Sequence, residues 1–397
     1  MNIGIVTTWF ERGAAQVSFQ YKEILQKNNK VFIYARGGEK YAKKNPKWDT
    51  DEVTWGKKSF FQLNATPIHK KDFKKWIDEN RIEVLFFNEQ QWWLPVIWAK
   101  EWGIKTGSYI DYYTKETVPF FEIFDFLICN TKRHYSVFNW HKNCHLVKWG
   151  TDIDLFSPKS SHLQNDRITF FNSAGYNPDR KGVGELINAF YKLEKNNAQL
   201  IIHSQVDLIK YYPSLKNIIE ELVSDNKLEI ISKTIGAPGL YYMGDVYCYI
   251  SKLDGIGLTV PEALACGLPV ITPDHPPMNE FIKEGHNGKL VEVEKTYYRK
   301  DNYYWPQVKI KDESLINALE YYINNFSQIK SFKKLSRKYA IKYLNWYDRI
   351  EEVNSIFRNV KKLPTTKIAK KLKKYEQRNF FKNLIKFPVF LKRTILR

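Results

Sequence analysis

The feature that most constrains this chain is an alternation, met twice, of short apolar runs with helix-like stretches. Residues 3–7 read as a buried strand, followed by a small-residue turn at Gly13-Ala14 and a helix over about 16–27. Further strands are expected at 30–34, 83–88, 106–110 and 126–129, with an aromatic helix carrying Trp92, Trp93, Trp98 and Trp102 after the strand at 83–88. Residues 151–166 are polar, contain Pro158 and read as a linker. The alternation then restarts, with strands expected at 168–172, 199–203, 246–250 and 270–272 and a helix at 183–194. Such βα alternation predicts parallel, doubly wound sheets. With 397 residues, the chain is long enough for two such domains. Residues 315–360 read as helical, with Trp346 and Ile350 on an apolar stripe.

Composition excludes several classes. Hydrophobic residues at 43% and charged residues at 26% argue against global disorder. No run approaches 18 apolar residues, so no membrane-spanning helix is expected. The chain opens straight into a strand pattern with no basic leader, so no secretory signal is expected. Cys129, Cys144, Cys248 and Cys266 are scattered without a CxxC pair, which speaks against a disulfide scaffold or a zinc ribbon and fits a reducing cytoplasm.

The net charge is +19, and residues 361–397 alone hold +12 of it, with Glu376 their single acid. Basic residues there alternate with Ile368, Leu372, Phe380, Phe381, Leu384, Ile385, Phe387, Phe390, Leu391 and Leu396. Leu384, Phe387 and Leu391 recur at helical spacing, and Pro388 is expected to end or kink that helix. A basic amphipathic tail of this kind fits an anionic membrane surface. A solvated tail that only aids solubility stays open. Nucleic acid is not expected, because the charge sits in a tail and no nucleic-acid-binding module is recognisable.

Chemistry concentrates in residues 245–291. A strand ending near Ser251 runs into the loop Asp254-Gly255-Ile256-Gly257, whose glycines permit positive φ and close approach of a ligand to the backbone. Pro261 suits the first turn of a short helix, Glu262 lies at its start, and Gly267 suits the left-handed residue that ends it. Strand, loop, helix start and strand together make a ligand site at the carboxyl ends of a parallel sheet, and helix-start N–H groups favour anions.

Asp254 and Glu262, separated by seven residues within D-G-I-G-L-T-V-P-E-A-L-A-C-G-L-P-V-I, together with the later N-G-K-L-V, resemble the retaining glycosyltransferases of family four (glycosyltransferase group 1). The resemblance spans about residues 1–360 and is most specific over 175–291. It implies an α/β protein of the GT-B fold, two Rossmann-like doubly wound parallel-sheet domains facing a central cleft. The implied division is 1–160 for the acceptor, 161–335 for a nucleotide sugar, 336–360 for a C-terminal helix returning to the first domain, and 361–397 for the tail.

The resemblance also implies roles. Glu262 would accept hydrogen bonds from a ribose diol, and Asp254 would contact the donor sugar. Backbone N–H groups of Gly257 and Leu258, beside Gly255, would face sugar or phosphate. Arg180 and Lys181, after the Gly175 turn, would hold the diphosphate and neutralise the leaving group without a metal. The family's usual Arg directly after the glycine is replaced here by Tyr176, and its usual Glu at the first acidic position by Asp254. Gly13 and Ala14 resemble the small-residue loop that approaches the phosphates. The family's histidine after the fourth strand is missing, and Asn88 or Glu89 there, or Glu280 further on, would touch the sugar or the acceptor. The tryptophans Trp92, Trp93, Trp98 and Trp102 are candidates for stacking on acceptor sugars, or for core.

The expected activity is metal-independent, retaining hexosyl transfer with no cofactor, from a nucleoside-diphosphate sugar (UDP favoured over GDP) to a glycan or lipid-linked glycan. The expected place is the cytoplasm, at a membrane surface through 361–397. A nucleotide-sugar epimerase, a sugar-phosphate synthase or a degenerate glycan-binding scaffold of the same fold stays open.

Overall fold

A computed structural model describes residues 1–59, 65–159, 167–193 and 197–395, with side chains described as far as Lys382. The chain divides into two compact units, Met1–Lys148 with Tyr347–Arg397, and Trp149–Trp346.

In the first unit the strands are β1 (Asn2–Thr7), β2 (Lys30–Ala35), β3 (Val53–Trp55), β4 (Val84–Phe87), β5 (Lys105–Tyr109), β6 (Phe126–Cys129) and β7 (Cys144–Leu146). They form one parallel sheet in the order β3-β2-β1-β4-β5-β6-β7. Helices α1 (Gly13–Leu25), α2 (Lys70–Glu79), α3 (Leu94–Glu101) and α4 (Lys132–Phe138) connect them. Every residue of β4 and β6 is buried, as strands covered on both faces require. Helix starts are capped locally: the His69 ring accepts the Asp72 N–H ahead of α2, and the Thr131 hydroxyl accepts the His134 N–H ahead of α4.

The second unit repeats the plan. Strands β8 (Ile168–Gly175), β9 (Ala198–Ser204), β10 (Leu228–Ser232), β11 (Val246–Cys248), β12 (Val270–Pro273) and β13 (Gly288–Val291) form a parallel sheet in the order β10-β9-β8-β11-β12-β13. An antiparallel pair, β14 (Val293–Tyr297) and β15 (Gln307–Ile310), is separate from it. The helices are α5 (Val183–Tyr191), α6 (Leu208–Tyr211), α7 (Lys216–Ser224), α8 (Thr259–Ala265), α9 (Asp312–Asn324) and α10 (Ile329–Tyr343). One core joins Phe170, Leu200, Ile202, Val246 and Ile271 of the sheet to Leu186, Leu222 and Leu319 of the helices.

In each sheet the strand order reverses once, between β1 and β4 and between β8 and β11. The loops leaving those neighbouring strands diverge to opposite sides, and the crevice they leave at the carboxyl ends is where α/β sheets bind ligands. That topology brings residues 175–182 beside residues 249–258 although about 70 positions separate them.

The chain returns to the first unit with α11 (Ile350–Asn359) and α12 (Thr366–Ile395). Phe357 packs edge-on against Phe86 and Phe126, and the Asn354 amide donates to the Ile24 carbonyl at 3.1 Å. On α12, Ile368 and Leu372 are buried, Tyr375 meets the Phe120 ring at 4.7 Å, and the Glu376 carboxylate accepts the Trp93 N–H at 2.9 Å.

Several expectations are corrected. The division falls at 148/149 and 346/347 rather than at 160/161 and 335/336. Trp149 packs on Trp346 at 4.5 Å, Thr151 bridges Asn345, and Arg337 donates to the carbonyls of Ile153 and Phe156, which ties the start of the linker to the second unit. The helical stretch 315–360 is broken into α9, α10 and α11. Gly13 and Ala14 are the first residues of α1 rather than a turn before it. Of the four tryptophans only Trp98 lies inside α3; Trp93 is its N-cap and is core, edge-on to Phe120 and Phe121. Trp92 and Trp102 pack on Trp98. Helix α12 continues past Pro388 rather than ending there. The apolar side chains expected at 384–391, and Leu396, lie outside the described residues.

Candidate functional site

The site in the second unit begins with Gly182, the N-cap of α5. Its φ is +66°, and a Cβ there would lie 2.0 Å from the Ile250 carbonyl oxygen. Only glycine lets the loop press this closely on the end of β11. The Arg180 carbonyl then accepts the Lys252 N–H at 2.8 Å, which fixes the loop against residues 249–254.

Asp254 sits at the centre. Its Oδ2 accepts Arg180 Nη1 at 3.0 Å, Lys181 Nζ at 2.8 Å and the Tyr249 hydroxyl at 2.5 Å. Its Oδ1 accepts the Gly257 N–H at 3.2 Å. Burial alone would push this carboxyl up, but the two cations and their hydrogen bonds hold it well below the usual carboxylate range. Burial pushes the Lys181 ammonium down to about 8, with Arg180 adding to the effect and Asp254 opposing it. Arg180 also donates to the Leu253 carbonyl at 2.8 Å.

Glu262 lies in the first turn of α8. Its Oε2 accepts the Tyr241 hydroxyl at 2.7 Å, and Oε1 has no hydrogen-bond partner among the described residues. Burial raises its carboxyl to about 7, against the opposing pulls of the Tyr241 bond and the Lys181 charge. The Lys181 charge thus acts on both acids. The Leu258 N–H has no acceptor among the described residues, and the space over the Gly255 Cα is open. Gly175, at φ +61°, ends β8, and Tyr176 beyond it is 67% exposed. Glu280 is half-buried in the 3-10 turn Met278–Phe281, whose Met278 lies against Gly257.

The structure therefore brings Arg180, Lys181, Asp254 and Gly257 into direct contact, with Glu262 within reach of the Lys181 charge. Two expectations change. Asp254 is occupied as counter-ion to both cations, and the Gly257 N–H is spent on Asp254 rather than left for a ligand. Tyr241 and Tyr249 are partners that sequence reading misses. Tyr249 sits just past β11, five residues before Asp254, so its strand-end position was its only signal. Tyr241 lies in a short turn before β11 and gave none.

In the first unit, Gly13 is exposed at the start of α1 and the Ala14 carbonyl accepts the Asn88 amide at 2.7 Å. That amide also donates to Ser18 Oγ at 2.6 Å, so Asn88 ties α1 to the end of β4 instead of offering its NH2 to a ligand. Glu89 has φ +52° and meets Arg12 at 3.4 Å. It shares a hydrogen bond with Asp111 beyond β5, whose carboxyl burial and Glu89 raise well above the usual range. Asp111 was also missed. Among the described residues no three His, Cys, Asp or Glu side chains gather as a metal site.

Residues 155–297 match the family described as glycosyl transferases group 1. The alpha-monoglucosyldiacylglycerol synthase of Acholeplasma laidlawii is 32% identical over 117 residues, 27% of each chain. The match thus spans about a quarter of that relative's length. The sucrose-phosphate synthase of Thermosynechococcus elongatus superposes with a TM-score of 0.67 at 16% identity, covering 90% of this chain and 98% of that one. HepE of Anabaena, solved with UDP and glucose, superposes with a TM-score of 0.69 at 13% identity, covering 90% of this chain and 99% of that one. The fold, two Rossmann-like parallel-sheet domains, is that of the GT-B structures.

Proposed function

We propose, on the premise that residues 155–297 belong to the glycosyl transferases group 1 family, that this chain moves a sugar from a nucleoside-diphosphate sugar to a glycan or lipid-linked glycan. The observation that carries this reading is Arg180 and Lys181 held at the crevice of the second sheet beside Glu262, one of whose carboxylate oxygens has no hydrogen-bond partner among the described residues. A carboxylate offers only acceptors, which suits the two donors of a ribose diol. Arg180 and Lys181 supply fixed positive charge for a departing diphosphate, so no general acid or metal is required there. UDP is favoured as the nucleotide, in line with the UDP-bound HepE structure. The sugar is a hexose and leaves with retention, by a same-face substitution in which the departing diphosphate takes the acceptor proton. On this reading the backbone of Gly175, Gly255 and Leu258 in the second unit faces the donor, and Glu280 is its candidate sugar contact.

The test is Glu262→Gln, assayed by calorimetry with UDP-sugars and by product analysis. Charge-assisted hydrogen bonds contribute about 1.5–3 kcal/mol each, so donor affinity is expected to fall at least tenfold. Unchanged binding and turnover would overturn the reading. A product formed without an acceptor would replace it with an epimerase.

We further place the protein on the cytoplasmic face of an anionic membrane, through α12. No helix among the described residues is long and apolar enough to cross a bilayer. Ile368 and Leu372 are used against the first unit, so they are not offered to lipid. At 3.6 residues per turn, Lys367, Lys370, Lys371, Lys374, Arg378 and Lys382 fall within an arc of about 120° on the opposite face, and all are exposed. Phe381, 62% exposed, lies on the same arc. Among the described residues, only Arg378 of these cations has a carboxylate partner, Glu116. Each such cation contributes about 1 kcal/mol near an anionic surface. Vesicles containing phosphatidylglycerol are expected to sediment the protein, and phosphatidylcholine vesicles are not. Lys370→Glu with Lys374→Glu should abolish the sedimentation, and its survival would sink the assignment.

A further inference from the structure

We infer that Tyr249 is a positioning residue of the donor site, holding the Lys181 ammonium where a diphosphate meets it. This rests on the donor-binding reading of Lys181 above. Lys181 is the inner cation of the site, and a buried ammonium on a four-carbon stem needs fixed partners to stay in one place. Tyr249 supplies one besides Asp254: its hydroxyl accepts a hydrogen bond from Lys181 Nζ, which lies beyond that oxygen, 4.4 Å from the ring centroid. The ring is itself locked, 1% exposed and stacked on Tyr247 at 5.9 Å.

The hydroxyl has one proton and gives it to Asp254 Oδ2 at 2.5 Å, which leaves its lone pairs for the ammonium. Burial and the Asp254 charge keep the phenol protonated, so it stays a neutral bridge between anion and cation. Without a ligand, Asp254 is the counter-ion of Arg180 and Lys181. An arriving diphosphate competes for the same two cations. A Lys181 tethered to Asp254 alone could follow that carboxylate, whereas one also hydrogen-bonded to the fixed Tyr249 hydroxyl is held in place.

The test is Tyr249→Phe, which keeps the ring and removes the bridge. UDP and uridine binding are measured by calorimetry and NMR across pH 6 to 10, with Tyr247→Phe as control. The expected result is UDP affinity about tenfold weaker at pH 7.5, uridine affinity unchanged, and the alkaline limb of UDP binding moved to lower pH, because the ammonium has lost an acceptor. In a Lys181→Met background, Tyr249→Phe should cost nothing further. Equal loss for UDP and uridine, or a full additional loss in the Lys181→Met background, would reduce Tyr249 to packing and overturn the proposal. So would an unaltered UDP affinity and pH profile. If the unaltered protein binds neither UDP nor GDP, the donor-site reading itself has failed, which is a separate outcome. Should Tyr249→Phe not fold, the same pH series on Lys181→Arg decides. Arginine stays charged throughout, so the alkaline limb should vanish; a limb that persists places the titration elsewhere and removes the basis for Tyr249.

Discussion

Two residues in the second unit carry opposite displacements that set a pH window. Glu262 is raised from 4.5 to about 7, chiefly by burial, so it becomes the acceptor that a diol needs only as pH rises through about 7. Lys181 is lowered from 10.5 to about 8, also by burial, so its charge is lost as pH rises through about 8. Nucleotide-sugar binding is therefore expected to be bell-shaped, with limbs near those values, when followed by calorimetry from pH 5 to 10. The raised Glu262 also makes ionisation costly in the folded state. Stability is expected to fall as pH climbs from the unfolded value near 4.5 to about 7, because the folded protein holds the proton longer. Glu262→Gln removes the acidic limb of binding and that slope of stability together. The family resemblance pointed to Asp254 and Glu262 through their spacing and the glycines around them, and to Lys181 through the separate Arg180-Lys181-Gly182 run after Gly175. It could not show that Asp254 is a counter-ion, since its partners Arg180, Lys181 and Tyr249 lie on two different strand ends.

At the scale of elements, the loop from β8 to α5 decides whether the cations reach the acid. Gly182 is its fixed point. Alanine there would need a left-handed φ and would put Cβ about 2.0 Å from the Ile250 carbonyl, so the loop must lift off β11. Strained backbone of this kind costs about 1–3 kcal/mol. Gly182→Ala is expected to lower the melting temperature by several degrees and to weaken UDP binding more than tenfold, read by calorimetry on the same sample. A variant that melts lower yet binds UDP normally would show that the loop finds another seat. This glycine was visible in the sequence as part of Arg180-Lys181-Gly182, but its reason was not. The reason is a carbonyl oxygen 68 residues further along the chain. The aromatic stretch 92–102 went the other way. Its periodicity suggested a helical stripe, yet Trp93 is consumed by Phe120 and Phe121, and Glu376 from α12 accepts its N–H.

At the scale of the whole molecule, the two units differ in how the chain supplies them. The second is one continuous stretch, Trp149–Trp346, and contains its own sheet, core and the described Arg180, Lys181, Tyr249 and Gly257 contacts of Asp254. The first is discontinuous and depends on Phe357, Leu372 and Glu376 from the far end of the chain. A fragment of residues 149–346 is thus expected to fold cooperatively and bind UDP, whereas residues 1–148 alone are expected to remain unfolded or aggregate. Circular dichroism melts and UDP titration of the two fragments check this. A folded, cooperative 1–148 would mean that α11 and α12 are accessories.

The amino-acid order by itself determined what is local: the βα alternation, the glycines that turn and cap, and the paired acids of residues 254–262. These follow from backbone preferences and hydrophobic period, which act over a few residues. Tertiary structure alone decided the rest. Strand order put β8 beside β11, so Lys181 could share one buried oxygen with Arg180 and Tyr249. Burial then moved Glu262 and Lys181 toward neutrality. The energy of a charge depends on the solvent it has lost and the partner it has gained, and neither is a property of its place in the chain.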